Sequence, residues 1–130
     1  MIEQFQEKFN QQFKQPTEIQ EAVAKPLAED KSILGIAPTG SGKTLAFTLS
    51  LLPKIMPGAG TQLLVLAPSQ ELAIQTTRVM REWANIIGVK VLALTGGANL
   101  RRQVMKLRKH PDVVGGTPGR VLHMLDNRHL

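Results

Sequence analysis

Short apolar runs alternate with amphipathic stretches along most of the sequence, and this alternation restricts the possible folds more than any other feature. Four runs are predicted to form strands, at residues 32–37, 62–67, 89–95 and 112–116. Each is followed by a loop and by helical periodicity, over residues 43–56, 69–87, 99–110 and 118–126. Continuous apolar strands that alternate with helices are typical of a parallel sheet with helices on both faces. The sequence therefore predicts an α/β fold of this kind.

Two helices are expected before the first predicted strand. The first is indicated by apolar side chains that recur at three- and four-residue steps: Ile2, Phe5, Phe9 and Phe13. Pro16 breaks this pattern, and a second helix is predicted to begin near Thr17. It runs past Pro26, which should kink it or end it early because proline lacks the backbone donor.

The net charge of +6 is unevenly distributed. Residues 1–88 contain eight Lys/Arg and eight Asp/Glu, whereas residues 89–130 contain eight Lys/Arg and two Asp/Glu. All of the excess positive charge therefore lies in the last third of the chain. It indicates either one solvated basic helix around residues 100–110 or a surface that faces a polyanion, and the charge alone leaves both interpretations open.

Composition also restricts the environment of the protein. The 130 residues include no cysteine, which excludes disulfides and thiolate metal sites and agrees with a reducing cytosol. No apolar run approaches the length of a membrane span, and residues 1–13 contain acidic side chains and no apolar block, unlike a secretory signal. We therefore expect a cytoplasmic location and no membrane partner. A chain of this length forms one domain or part of a larger one.

Residues 37–44 read APTGSGKT, which is close to the phosphate-binding pattern G-x-x-x-x-G-K-[ST], with alanine in place of its first glycine. Gly40 and Gly42 let backbone N–H groups turn toward a phosphate chain at the N-terminus of the next helix. Lys43 can place its ammonium group against the terminal phosphates, and Thr44 can offer its hydroxyl to Mg²⁺. The loop predicts a nucleotide site. It does not identify the reaction, because kinases, transporters and GTPases carry such loops too.

Three more loops follow predicted strands and open predicted helices: APSQELA, TGGAN and GTPGR. Ligands of parallel sheets bind beyond the carboxyl ends of the strands, where helix N-termini attract anions. In GTPGR, Thr117 is expected to cap the helix and Pro118 to begin it, which directs free N–H groups and the Arg120 cation at a phosphate.

A shorter motif precedes the first predicted strand, where Thr17 and Gln20 have the spacing of a helix capping box. The alternative is that the Gln20 amide, a donor and an acceptor together, reads the edge of an adenine. From the residues alone the capping box is favoured, and the adenine interpretation stays open.

In order and spacing, FKQPTEIQ, APTGSGKT, APSQELA, TGG and TPGR resemble the Q motif and motifs I, Ia, GG and Ib of the DEAD-box RNA helicases. The resemblance covers residues 13–120 and implies a RecA-like P-loop domain, cut before the strand that bears the DEAD acids. Residues 1–31 would form a Q-motif helical segment, and residues 32–130 a partial RecA-like ATP-binding domain within the same single domain. The resemblance to DEAD-box RNA helicases also implies ATP and Mg²⁺ as cofactors. The implied partners are the RNA backbone, read without regard to sequence, and a second RecA-like domain of the parent chain.

The resemblance also implies the roles of individual residues. The predicted nucleotide-binding residues are Phe13, Gln20, Ala37, Pro38, Thr39, Gly40, Ser41, Gly42, Lys43 and Thr44. Lys43 and Thr44 would act in catalysis, and Thr44 would hold Mg²⁺ directly or through water. The predicted RNA-binding residues are Pro68, Ser69, Gly96, Gly97, Thr117, Pro118, Gly119 and Arg120.

The sequence departs from the family pattern at three points. Ser69-Gln70 stands where the family usually has Thr-Arg, so a cation is lost from this loop. The isolated upstream aromatic of the Q motif has no clear match, and Phe5 is the nearest candidate. No D-E-x-D sequence occurs, so the resemblance implies an ATP-dependent RNA helicase as parent and little hydrolysis by these 130 residues alone.

Two alternatives are a non-catalytic module that binds RNA and nucleotide, and another P-loop ATPase or kinase. Without the strands that carry the missing motifs, residues 32–37 should also present an open apolar edge, and we expect poor solubility or edge pairing with another chain.

Overall fold

The computed structural model describes residues 1–38 and 40–130. The helices are α1 (Glu3–Gln12), α2 (Glu18–Ala28), α3 (Lys43–Leu51), α4 (Gln70–Ala84), α5 (Leu100–Leu107) and α6 (Pro118–Asp126). The strands are β1 (Leu63–Leu66), β2 (Val91–Leu94) and β3 (Val113–Gly116), and short 3₁₀ helices cover Leu52–Lys54 and Asn85–Ile87. The chain divides into two compact units, Met1–Lys54 and Ile55–Leu130. The predicted organisation as a single domain stays a prediction.

The first unit contains α1, α2 and α3. Phe5 and Phe9 are fully buried on one side of α1, as the apolar periodicity predicted. The α2 helix continues through Pro26 for two residues and ends at Ala28, because proline in the last turn removes only one hydrogen bond. The α2 and α3 helices pack together and bury Val23 and Leu49.

The predicted strand at residues 32–37 is wrong, because these residues form no strand in the structure. Among the described residues, no backbone hydrogen bond joins this segment to another element. A strand is stable only when a neighbouring strand accepts and donates its ladder bonds. Residues 32–37 have no such neighbour in the described part of the chain, and their apolar side chains are exposed, with Leu34 at 87% and Ile36 at 84%.

The second unit is built on a three-stranded parallel sheet in the order β1-β3-β2. The predicted parallel pairing is confirmed, with Leu64 and Leu92 both opposite Val114 in β3. On one face, Leu92, Leu94 and Val114 form a buried cluster with residues of the two last helices: Leu107, Val121 and Met124. On the other face, Thr77 of α4 lies over Gly115. Helices therefore cover both faces.

A buried carboxylate joins the N-terminal ends of the strands to the loops before them. Asp112 is fully buried, and its two carboxylate oxygens accept hydrogen bonds from the backbone N–H groups of Gly58 at 2.8 Å and Lys90 at 2.9 Å. Its backbone carbonyl accepts from Gln62 N at 2.8 Å. Asp112 thus holds three separate stretches of chain beside the start of β3.

The helices in the described part of the chain include none that is long and apolar enough to cross a bilayer.

Candidate nucleotide and nucleic-acid sites

The glycine loop precedes α3 in the first unit. Gly42 caps this helix with φ +84° and ψ +30°, and Gly40 has φ +82°. Both values lie in the left-handed region, which only glycine adopts freely, so glycine is required at both positions. Ser41 N donates to Pro38 O at 3.2 Å, which closes the turn between them. The predicted nucleotide-binding loop also includes Thr39, which lies outside the described residues.

The side chains at the start of α3 can bind an anion. Lys43 is the first residue of α3, is exposed and makes no salt bridge with any residue that the structure describes. The Ser41 hydroxyl is buried and has no hydrogen-bond partner within the described chain. Thr44 is half-buried, and its backbone carbonyl accepts from Thr48 Oγ1 at 2.6 Å. An unpaired cation, an orphaned hydroxyl and free helix amides fit a phosphate group.

Gln20 connects two parts of the first unit. Its Oε1 accepts from Thr17 N at 3.0 Å, and Thr17 Oγ1 accepts from Gln20 N at 3.4 Å, so the capping box is confirmed. Gln20 Nε2 also donates to Gly42 O at 3.4 Å, in the glycine loop. A Cβ on Gly42 would overlap this amide, which is a second reason for glycine there. The amide keeps one N–H and one lone pair, so the adenine role stays a prediction.

Phe13 ends α1 and remains 42% exposed. Its ring centroid lies 4.9 Å from that of Phe9, with the two planes 33° apart. The exposed ring surface is available to a flat ligand such as a base. Phe5, the nearest candidate for the upstream aromatic, is fully buried, and that assignment stays a prediction.

In the second unit, the loops that follow the three strands lie together. The Gln70 side chain lies against Gly97, so closely that a Cβ on Gly97 would overlap it. The Arg120 guanidinium donates from Nη2 to Gly96 O and from Nη1 to Ala98 O, both at 3.3 Å. The structure thus brings the predicted RNA-binding residues of APSQELA, TGGAN and GTPGR to one edge of the sheet.

The two helix starts at this edge are capped differently. Ser69 Oγ accepts from Leu72 N at 3.2 Å and caps α4. Thr117 holds the N-cap position of α6, but its side chain makes no capping bond, so the expected cap is wrong. Pro118 begins α6 as predicted. The backbone N–H groups of Gly119 and Arg120 therefore have no acceptor among the described residues.

Sequence reasoning missed Gln103, which is buried in α5 beneath these loops. Its Nε2 donates to Thr95 O at 3.0 Å, and its Oε1 accepts from Arg120 Nη1 at 2.9 Å. A signal was present in the sequence. Gln103 falls on the same helical face as Leu107, where the amphipathic pattern leads one to expect an apolar residue.

A family model of "DEAD/DEAH box helicase" matches residues 17–130. The chain belongs to this family. Among DEAD/DEAH box helicases, the "Probable ATP-dependent RNA helicase YfmL" of Bacillus subtilis is 40% identical over 119 residues, which are 91% of this chain and 32% of that protein. The "ATP-dependent RNA helicase DBP10" of Debaryomyces hansenii is 41% identical over 115 residues, 86% of this chain and 12% of that protein. The chain therefore spans a third or less of the length of these curated relatives.

Two solved structures share the fold. A "hypothetical ATP-dependent RNA helicase from Sulfolobus tokodaii" matches 100% of this chain and 38% of its own, with a TM-score of 0.89 and 29% identity. A "DEAD box protein" from Methanococcus jannaschii matches 88% of this chain and 32% of its own, with a TM-score of 0.82 and 33% identity. These likenesses confirm the predicted RecA-like fold.

Proposed function

We propose that this chain is the ATP-binding and RNA-backbone-binding part of an ATP-dependent RNA helicase, in which ATP hydrolysis drives local unwinding of RNA duplexes. The observation that carries the proposal is the glycine loop. Gly40 and Gly42 are left-handed, and they are followed at the start of α3 by Lys43, which makes no salt bridge with the described residues. One curated relative is named an ATP-dependent RNA helicase and the other a probable one, which supports the same activity for the parent protein.

The nucleotide would be held within the first unit. Residues 40–44 supply backbone amides and the Lys43 ammonium group to the phosphates, and Gln20 and Phe13 bind the adenine by its edge and its face. The Thr44 hydroxyl is the proposed contact to Mg²⁺, directly or through water. Mg²⁺ supplies charge neutralisation to the phosphates when bound. Lys43 adds a fixed positive charge at the same place, which favours both binding and phosphoryl transfer.

RNA would be held within the second unit, at the edge formed by Ser69, Gly97, Thr117, Gly119 and Arg120. Two features support this assignment. The amides of Gly119 and Arg120 are unpaired among the described residues, and all of the excess positive charge of the chain lies in residues 89–130. Amide and cation contacts of this kind go to phosphates and carry no sequence information, so binding is independent of RNA sequence.

Hydrolysis by these residues alone is expected to be negligible. The sequence contains no D-E-x-D, and the arginine of the active site is expected from a second RecA-like domain. Phosphoryl transfer depends on placing charge around the reacting phosphate. Without the D-E-x-D acids and this arginine, most of the rate of ATP hydrolysis should be lost. This gap favours a second candidate, a non-catalytic module that binds RNA and nucleotide. The match to the DEAD/DEAH box helicase family argues against the remaining alternative, another P-loop ATPase or kinase. The cytoplasmic location stays a prediction.

Equilibrium binding tests the proposal directly. We expect the 130-residue chain to bind a fluorescent ATP analogue with Mg²⁺, and a labelled oligouridine at low salt, with little phosphate release. A chain that binds neither ligand would contradict the proposal. Binding of both ligands, together with RNA-stimulated turnover in a longer protein that supplies D-E-x-D, would favour the helicase over the non-catalytic module. Absence of turnover there would favour the module.

A further inference from the structure

Gln103 is a polar side chain at a position where the helix pattern favours an apolar one. Gln103 lies on the side of α5 that packs on the sheet, and only 4% of its surface is exposed. Burying an amide costs free energy unless both its ends are hydrogen-bonded. Both ends are bonded here, to Thr95 O and to the Arg120 guanidinium. The amide therefore joins the loop after β2 to the first turn of α6.

Arg120 extends this connection along the same loop. Its guanidinium donates to Gly96 O and Ala98 O as well as to Gln103. Together the two side chains hold the carbonyl groups of Thr95, Gly96 and Ala98. Arg120 thus uses three N–H donors inside the protein, and its five donors leave two for another acceptor.

The held carbonyls, together with the turn in which Thr95 O also accepts from Ala98 N at 3.3 Å, determine where the glycine amides point. In a trans peptide, the C=O of one residue and the N–H of the next point in opposite directions. The Thr95 and Gly96 carbonyls face Gln103 and Arg120, so the N–H groups of Gly96 and Gly97 face away from them. Neither N–H has an acceptor among the described residues, and both glycines are exposed. Two adjacent outward amides suit a phosphate oxygen.

We infer that Gln103 is a positioning residue for RNA binding. By fixing Thr95 O and the Arg120 guanidinium, it holds the amides of Gly96 and Gly97 outward, toward the phosphate of a nucleic-acid backbone. Gln103 itself is buried and touches no ligand. This inference rests on the proposed RNA binding and adds the residue that orients the binding loop.

Gln103→Met tests it, since methionine fills a similar volume and makes neither hydrogen bond. We expect its Kd for labelled oligouridine to rise at least fivefold while its Kd for the ATP analogue stays within twofold. Gln103→Glu keeps the acceptor for Arg120 and loses the donor to Thr95, so it should have intermediate RNA affinity. Gln75→Met, at an exposed glutamine of α4, is the matched control and should bind RNA like the wild type.

The outcomes separate this inference from the function on which it rests. If the wild type binds RNA and Gln103→Met binds it equally well, the positioning role is wrong and RNA binding stands. If affinity for both ligands falls in equal proportion, Gln103 serves only stability. If Gln103→Met does not fold, Gln103→Glu decides, and wild-type affinity in that variant overturns the role of the Thr95 bond. If the wild type does not bind RNA, the proposed function fails first and this inference fails with it.

Discussion

Gln20 Nε2 donates a hydrogen bond to the carbonyl oxygen of Gly42, at 3.4 Å. The same side chain completes the capping box of α2 through its Oε1. One glutamine therefore supports the start of α2 and the glycine loop at the start of α3. Its effect on a bound nucleotide and its effect on stability have to be separated by one substitution that keeps the bond to Thr17 and one that removes it.

Replacing Gln20 with glutamate or with alanine separates its effect on nucleotide binding from its effect on stability. Gln20→Glu keeps the acceptor for Thr17 N, so the capping box of α2 should persist, but it removes the donor to Gly42 and to an adenine. Gln20→Ala removes all three bonds and should also reduce stability by about 1 kcal/mol. Both variants should lose the preference for ATP over GTP in competition binding. If Gln20→Glu keeps that preference, Gln20 serves as a cap alone.

Lys43→Ala should weaken ATP binding by roughly 10- to 100-fold, because charge-assisted hydrogen bonds to phosphate contribute about 1.5–3 kcal/mol each. Stability should be unchanged, since Lys43 is exposed and makes no salt bridge with a described residue. Titration with a fluorescent ATP analogue measures the effect. Lys25→Ala removes an exposed lysine from α2 and is the control. Equal affinities for the two variants would contradict the phosphate role of Lys43.

Neutralising α5 distinguishes the two interpretations of the basic region. Arg102 and Lys106 are exposed on α5 and form no salt bridge with the described residues. If this surface contacts RNA, the double variant Arg102→Gln/Lys106→Gln should flatten the salt dependence of binding. The slope should change by about 0.7 for each phosphate that the protein no longer neutralises. Lys14→Gln/Arg78→Gln removes the same charge elsewhere, and equal slopes for both variants would indicate a merely solvated helix.

Asp112→Asn should destabilise the protein by about 1–3 kcal/mol, because an amide can accept from only one of the two backbone N–H groups that the carboxylate now satisfies. Urea denaturation measures this decrease in stability. Asp126→Asn, at an exposed position that ends α6, should change stability little. Similar decreases in both variants would show that the buried hydrogen bonds of Asp112 contribute nothing specific.

Leu34 and Ile36 should promote self-association. Both are almost fully exposed, in a segment whose backbone finds no partner among the described residues. Leu34→Lys/Ile36→Lys should lower the mass measured by light scattering at high concentration, because charge on an unpaired apolar segment opposes pairing between chains. Leu122→Lys/Leu125→Lys, at exposed positions of α6, controls for added charge alone. A wild type that stays monomeric at every concentration would contradict this prediction.

Local physics explains most of what the sequence predicted correctly. Capping by Thr17 and Gln20 and the start of α6 at Pro118 each depend on residues a few positions apart. The apolar pattern of β1, β2 and β3 likewise needs only the period of a buried strand. The predicted strand at residues 32–37 failed because an apolar run does not become a strand until a neighbour completes its ladder.

The sequence by itself thus predicted most of the elements and the family, since each depends on residues that lie close together in the chain. Only the tertiary structure decided the strand order β1-β3-β2 and the connection of Gln103 with Arg120 and the loop at Thr95. The physical reason is that strand order and buried polar pairing depend on contacts between residues far apart in the chain. A glutamine on an apolar helix face reveals its role only when its partners are known.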